Sequence, residues 1–239
     1  MKYWRNVDIE ARVSSRLAEF GCQTGRKAEP PIPVDLLAEK LFDFTVVYEE
    51  MPEPKGLQVL GGLVRRQKKI VVNERYARDP KQGWGRSRFT IAHEIGHWDL
   101  SEMTKSDKQC EFDGTATSSR MLCRSASGLI VEVTKRLWHD ERLQAELRRA
   151  ETMKDEPWEK RAVDRYASEL LMPKHLVLNA VEGVDLTQWP NLYRLKDLFG
   201  VTISALRIRL SSPGRLSVAD DGTIFAGSEA ERAGQMRIF

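Results

Sequence analysis

Cysteine is scarce in this chain, and no long apolar run is present. The three cysteines, Cys22, Cys110 and Cys123, are far apart and form no CxxC pair, which argues against a disulfide-rich secreted domain and against a structural zinc ribbon. No stretch approaches the ~20 apolar residues that cross a bilayer. The N-terminal residues mix charges of both signs where a signal peptide would have an apolar core. We therefore expect a cytoplasmic protein with free thiols and no membrane partner.

An excess of charge of one sign is also lacking. The formal net charge is +3, from 38 basic and 35 acidic residues, and this is too small for a dedicated nucleic-acid coat or a polybasic membrane anchor. The 239 residues are 41% hydrophobic and 31% charged, a balance typical of a globular protein that can bury a sizeable core.

The order of the sequence patterns predicts an α+β fold. Two helical patterns, at residues 7–21 and 34–41, precede three stretches with the composition of strands. These stretches are residues 44–48, 57–64 and 69–72. They predict a small antiparallel sheet, packed on the strongly patterned helix that follows at residues 84–100. An exposed edge of such a sheet can accept an extended peptide.

The second half of the chain is predicted to be mainly helical. Residues 101–156 resemble an insertion, with a polar loop followed by a charged helix at 129–150. A helix at 157–172 lies between Pro157 and Pro173, and residues 191–210 have the pattern of a helix-turn-helix. An Asp-Gly turn within 216–226 predicts a terminal hairpin.

Two of the four histidines stand in the motif His93-Glu94-Ile95-Gly96-His97. Four positions apart on a helix, His93 and His97 share one face and can bind one zinc ion. Glu94 is offset by about 100° around the helix, which suits a general base acting on water that the zinc acidifies. Gly96 costs a helix interior ~1 kcal/mol relative to alanine, so we expect substrate or another backbone to approach closely there.

A catalytic zinc needs a third protein ligand and an open position. The helix at 157–172 and the residue before it are the natural source of that ligand. The candidate carboxylates are Glu156, Glu159, Asp164 and Glu169.

The stretch RSRFTIAHEIGHWDL, followed by ASELLMP at residues 167–173, resembles the ImmA/IrrE-type zinc metallopeptidases. The segments PPIPVDLLAEKL, GGLVRR and IVVNE also fit, so the resemblance covers most of the chain. It implies that His93, His97 and a downstream glutamate bind zinc and that Glu94 is the catalytic base. It also implies a zinc metallopeptidase domain at residues 1–175, with 101–156 as an inserted loop and helix, and a helical C-terminal subdomain with a terminal hairpin at 176–239.

The third ligand departs from the family pattern. The family glutamate usually stands four positions before an acidic or amide residue, but Lys160 stands four before Asp164, and Glu159 five before. A one-residue insertion at Val163, accommodated as a π-bulge, would restore the pattern. We therefore predict Glu159 as the third zinc ligand, with Asp164 orienting a zinc histidine. Without a bulge, Glu156 or Asp164 would be the alternative ligand.

Known members of this family cut helix-turn-helix repressors and so release the genes that these repressors silence. The resemblance therefore implies an endopeptidase with a protein substrate, a helix-turn-helix transcriptional repressor. The displaced third ligand leaves an alternative, in which a catalytically weak or inactive regulator of the same fold binds a repressor or DNA without cleavage.

The helix-turn-helix pattern at 191–210 has two interpretations. Arg207 and Arg209 would contact DNA in one, and in the other these helices pack behind the active site. We favour packing, because three apolar residues share the same short helix and the net charge is small. These residues are Leu206, Ile208 and Leu210. Direct binding of nucleic acid is therefore not expected.

Overall fold

The computed structural model describes most of the chain, with gaps at the termini and at several internal segments. The described residues are 4–51, 58–104, 120–125, 130–134, 157–211, 216–218 and 223–226. They form eight helices and seven strands within these ranges, and the architecture is α+β, as predicted.

The helices lie close to the positions that apolar periodicity predicts. The first, α1, buries Ile9, Val13, Leu17 and Phe20 at helical spacing. The described helices are α1 (Asn6–Thr24), α2 (Val34–Phe42), α3 (Glu74–Ala77), α4 (Gly83–Thr104), α5 (Pro157–Leu171), α6 (Lys174–Val181), α7 (Trp189–Phe199) and α8 (Ile203–Ser211). The motif helix, α4, packs mainly on α5, and α1 packs on α5 from another side.

The main sheet is mixed, and the prediction of an antiparallel sheet is wrong for its first strand. Strands β1 (Thr45–Glu49), β2 (Val59–Val64) and β3 (Lys69–Asn73) lie in the order β1-β3-β2. The hairpin of β2 and β3 is antiparallel, but β1 pairs parallel with β3. Sequence neighbours β1 and β2 are therefore not neighbours in the sheet, because β3 lies between them.

A buried asparagine fixes this arrangement at one end of the sheet. Asn73 Nδ2 donates to the Val59 carbonyl at 2.8 Å and to the Met51 carbonyl at 3.5 Å. Asn73, at the end of β3, is thereby hydrogen-bonded to Val59 at the start of β2 and to Met51, which follows β1. A wholly antiparallel sheet would separate these chain ends, so Asn73 favours the mixed topology.

The structure also corrects the prediction for residues 101–156. Strand β4 (Arg120–Ser125) pairs antiparallel with β2, and strand β5 (Ile130–Thr134) pairs antiparallel with β4. The segment predicted as a loop therefore contains strand β4. The segment predicted as a helix, 129–150, contains strand β5 near its start. The sequence of β5, IVEVT, is rich in β-branched residues, which favour strands. Residues 105–119, 126–129 and 135–156 lie outside the described residues, and Cys110 is among them.

The C-terminal helices share one hydrophobic core with the rest of the fold. Residues of α7 and α8 belong to the same buried cluster as α1, α4 and α5. Strands β6 (Leu216–Val218) and β7 (Ile224–Ala226) form the expected antiparallel hairpin. Among the helices that the structure describes, none combines the length and the apolar character of a membrane-spanning segment.

Candidate metal centre

Helix α4 presents the HExxH motif from within the core. Ile91, Ala92 and Ile95 are fully buried on its inner side. His93 is only 3% exposed and Glu94 only 1% exposed. Buried ionisable side chains are rare in a hydrophobic core, because burial of a polar group costs free energy unless it finds a partner. The motif therefore combines buried apolar residues with a buried imidazole and a buried carboxylate on one helix.

The two histidines converge on one point. His93 Nε2 and His97 Nε2 are 3.1 Å apart, and the ring planes are inclined at 76°. Two nitrogens bound tetrahedrally to one zinc at ~2.0–2.1 Å would lie about 3.3 Å apart. The observed separation is close to that value, so the pair has the spacing of two ligands of one metal ion.

Asp164 of α5 contacts the other nitrogen of His93. Its Oδ1 lies 3.0 Å from His93 Nδ1, within the distance of a carboxylate–imidazole pair. A carboxylate in this position fixes the tautomer and leaves the Nε2 lone pair aimed at His97. Two lone pairs at this distance repel unless a cation or a proton lies between them. The geometry therefore fits a bound metal, and Asp164 contacts the histidine nitrogen that would face away from that metal.

Helix α5 is α-helical from Pro157 to Leu171 in the described residues. The π-bulge predicted at Val163 is therefore wrong, since a regular helix accommodates the sequence without one. Glu159 lies in the first turn of this helix, one turn before Val163. Glu156 lies outside the described residues. Within the part of the chain that the structure describes, no group of three or more metal-ligating side chains is present, and the role of Glu159 stays a prediction.

The fourth candidate ligand, Glu169, has a structural role. It is 3% exposed, and its Oε2 lies 2.5 Å from Arg209 Nη2. Its Oε1 also accepts the backbone N–H of Lys174 at 2.9 Å. These contacts join α5 to the start of α6 and to α8, so Glu169 is committed away from the histidine pair.

Gly96 allows α5 to approach α4 beside the histidines. A Cβ at this position would lie 3.1 Å from Tyr166 Cδ1 and 3.2 Å from Val163 Cγ1. Both distances are shorter than ordinary carbon contacts. The space beside Gly96 is thus occupied by side chains of α5, and the prediction of another backbone there is wrong.

We expect Gly96→Ala to lower the free energy of unfolding by about 1 kcal/mol. Overpacking costs about 1–3 kcal/mol, which exceeds the ~1 kcal/mol gained from helix propensity. Chemical denaturation would measure this. Gly61→Ala should cost more, because its Cβ would lie 2.6 Å from the backbone oxygen of Val71. A stabilised Gly96→Ala protein would show that α5 can recede from α4.

A buried charge network braces the motif helix two residues after His97. Asp99 is fully buried and accepts hydrogen bonds from Arg12 Nη2 at 2.6 Å and from Arg16 Nη2 at 2.7 Å. Tyr166 Oη also donates to it at 2.9 Å. Burial opposes ionisation of Asp99, but the bonds from Arg16 and Arg12 outweigh it and lower the pKa of the carboxyl. The network joins α1, α4 and α5 around the site.

Sequence reasoning missed this network, although one signal was available. Arg12 and Arg16 stand four positions apart, on one face of α1 beside the buried Ile9 and Val13. Two arginines next to a core-facing stripe indicate a buried acidic partner. Nothing local identifies Asp99 as that partner, 87 positions beyond Arg12.

A cleft of about 620 Å³ adjoins the site on the side of Asp164. It lies between the start of β2 and helices α4, α5 and α8. Its described lining consists of Gln58, Leu60, Gln82, Arg86, Phe89, Arg161, Asp164, Arg165, Ser168, Thr202, Ser204, Ala205, Ile208 and Arg209. Asp164, whose side chain is 35% exposed, connects the cleft to the site through its contact with His93.

The helix-turn-helix-like pair, α7 and α8, packs against the core. Arg209 is 7% exposed, and it donates to the Met172 carbonyl at 3.0 Å in addition to its pair with Glu169. The Arg207 guanidinium lies 5.8 Å from the centre of the Trp189 ring. Both arginines that a DNA-binding interpretation requires are thus engaged within the chain.

Comparison with known proteins adds a distant likeness of fold. No protein-family model matches the chain, and no curated protein does. A solved structure described as a Mycobacterium tuberculosis transcriptional regulator is similar, with a TM-score of 0.50 and 14% sequence identity. The match covers 93% of this chain and 66% of the regulator, so this chain spans slightly less than two thirds of that protein. At this identity the likeness concerns the α+β fold alone.

Proposed function

We propose that this chain is a zinc-dependent endopeptidase of the ImmA/IrrE type, acting in the cytoplasm on a protein that regulates transcription. The observation that carries the proposal is the convergence of His93 Nε2 and His97 Nε2 at 3.1 Å, with Asp164 on His93 Nδ1. A carboxylate beside His93 Nδ1 favours the tautomer whose Nε2 can bind a cation. Histidines that bind metals commonly have such a carboxylate on the other ring nitrogen, which supports a metal-binding pair.

His93, His97 and Glu159 would hold the zinc ion, which when bound polarises the scissile carbonyl and lowers the pKa of water. Asp164 keeps a proton on His93 Nδ1 and so keeps Nε2 available. Glu94 takes a proton from the attacking water and returns it to the leaving amide nitrogen. The burial of Glu94 and His93 limits the access of bulk water, which strengthens these electrostatic interactions.

A helix-turn-helix repressor is the proposed substrate. The resemblance of RSRFTIAHEIGHWDL and ASELLMP to repressor-cutting peptidases supports this substrate class. The similar fold of a transcriptional regulator from M. tuberculosis agrees with a role in transcription.

Metal content tests the proposal directly. We expect about one zinc per chain in the purified protein by elemental analysis, and loss of that zinc in His93→Ala and Glu159→Ala. His175→Ala and Lys160→Ala are the matched controls, since His175 is exposed and Lys160 adjoins Glu159 in α5. Both controls should retain zinc.

The outcomes separate the remaining alternatives. Zinc lost in His93→Ala but retained in Glu159→Ala would assign the third ligand to another residue, with Glu156 as the first to test. If the parent protein binds no zinc after zinc is supplied, the proposed zinc-dependent endopeptidase function is wrong. The alternative regulator, which binds a repressor or DNA without cleavage, would then explain the fold better.

A further inference from the structure

The cleft beside Asp164 has an uneven charge. Four arginines line it, and Asp164 is the single carboxylate among the described residues of the lining. The arginines are Arg86, Arg161, Arg165 and Arg209. A concave surface with one sign of charge concentrates ligands of the opposite sign. The cleft therefore favours an anionic occupant.

The four arginines differ in how closely each is paired with a carboxylate of the chain. Arg209 is buried and paired with Glu169, and Arg165 pairs with Glu10 at 3.2 Å. Arg86 lies 3.6 Å from Asp79 and is about one-third exposed. Arg161 is exposed, and among the described residues no ion pair or hydrogen bond to it is found. Arg161 is thus the guanidinium most available to a ligand.

The cleft is also partly apolar. Leu60, Phe89 and Ile208 contribute to its lining, and Ile208 is 71% exposed. An exposed isoleucine next to arginines suits a ligand with alternating apolar and acidic groups, as in an extended peptide. A phosphate backbone would match the arginines but would leave these apolar surfaces without a partner.

We propose that this cleft binds an acidic stretch of the protein substrate next to the scissile bond, with Arg161 as the main carboxylate contact. The inference rests on the proposed endopeptidase function, because Asp164 belongs to the cleft lining and also contacts His93. Leu60, Phe89 and Ile208 receive apolar side chains of the same stretch. Arg86 and Arg165 also line the cleft, but each already lies beside a carboxylate of the chain.

Fluorescence anisotropy on the zinc-loaded Glu94→Gln protein tests this inference without cleavage. The probe is a fluorescein-labelled peptide of leucine, alanine and glutamate, and its counterpart has glutamine in place of each glutamate. We expect the acidic peptide to bind about tenfold more tightly than the glutamine peptide, and less tightly as ionic strength rises.

Charge reversal locates the contact. Arg161→Glu should weaken binding of the acidic peptide about five- to tenfold and leave the glutamine peptide almost unchanged. The control is Arg194→Glu, since Arg194 is an exposed residue of α7 outside the cleft lining, and the net charge changes equally. Arg194→Glu should change affinity by less than about twofold. Arg161→Gln is the milder variant, and circular dichroism confirms that each protein is folded.

Three results would overturn the inference. These are equal binding of the two peptides, no saturable binding of the acidic peptide, and equal effects of Arg161→Glu and Arg194→Glu. Tighter, Arg161-dependent binding of a labelled single-stranded DNA would also overturn it, by assigning the cleft to nucleic acid. Zinc content and Glu94-dependent cleavage are read separately, so failure of the cleft assignment can be distinguished from failure of the proposed activity.

Discussion

Replacement of Asp99 by alanine is expected to lower the free energy of unfolding by about 3 kcal/mol, since it removes the buried counterion that the part-buried Arg12 and Arg16 share. Arg12 and Arg16 would lose their shared acceptor, and Tyr166 Oη would lose its bond of 2.9 Å. Chemical denaturation followed by circular dichroism measures the change. Glu39→Ala is the control, since the pair of Glu39 with Lys40 is exposed, and it should change stability by less than about 1 kcal/mol. Equal effects of the two variants would contradict a structural role for the network.

The same network predicts a loss of stability in acid. The pKa of Asp99 is lowered in the folded protein, so its ionised form contributes stability above the ordinary carboxyl pKa of about 3.9. That contribution decreases as pH falls below about 4 and is gone below the folded-state pKa. The difference in stability between the parent protein and Asp99→Ala should therefore narrow at acid pH. A difference that stays constant down to the acid limit would show that Asp99 does not act through its charge.

Glu94→Gln is expected to reduce peptide hydrolysis about 10²–10⁴-fold while zinc content stays unchanged. Glutamine preserves the shape of the side chain but cannot accept the proton of the attacking water. The rate would be measured on an internally quenched peptide that the parent protein selects from a random-sequence library. Glu182→Gln is the control, because Glu182 is exposed at the end of α6.

Each result for Glu94→Gln assigns the residue differently. A slow variant that retains zinc supports the role of general base. Equal rates for Glu94→Gln and the parent protein would exclude that role. A variant without zinc would mean that Glu94 stabilises the site, and the base would then need another assignment.

Local patterns were sufficient for the elements that depend on local physics. Helices α1 and α4 follow from apolar spacing, and the hairpin of β2 and β3 follows from two strand-like stretches around a short turn. The position of β1 depends on partners that periodicity does not encode. Its parallel pairing with β3, supported by Asn73, required the structure.

The candidate site also combines features that local sequence patterns predict with features that depend on tertiary packing. The spacing of His93 and His97 predicts that they face each other, because that relation lies within one helix. The contact of Asp164 with His93 joins two helices, and here the sequence suggested it only through a family resemblance. The third ligand was harder, since the spacing of Glu159 and Asp164 suggested a π-bulge that the regular helix does not contain. The Asp99 network and the arginine-lined cleft arise from tertiary packing and left little local signal.

The contacts that brace the motif helix have a consequence for the order of folding. Arg12 and Asp99 are 87 positions apart, Asp99 and Tyr166 are 67 apart, and Glu10 and Arg165 are 155 apart. Contacts of such long range slow folding, because a large loop must close before they form. During synthesis at about 5–20 residues per second, Tyr166 emerges roughly 3–13 s after Asp99. A chain interrupted before α5 would therefore contain the HExxH helix without Asp164 and Tyr166, the two residues of α5 that contact its polar side chains.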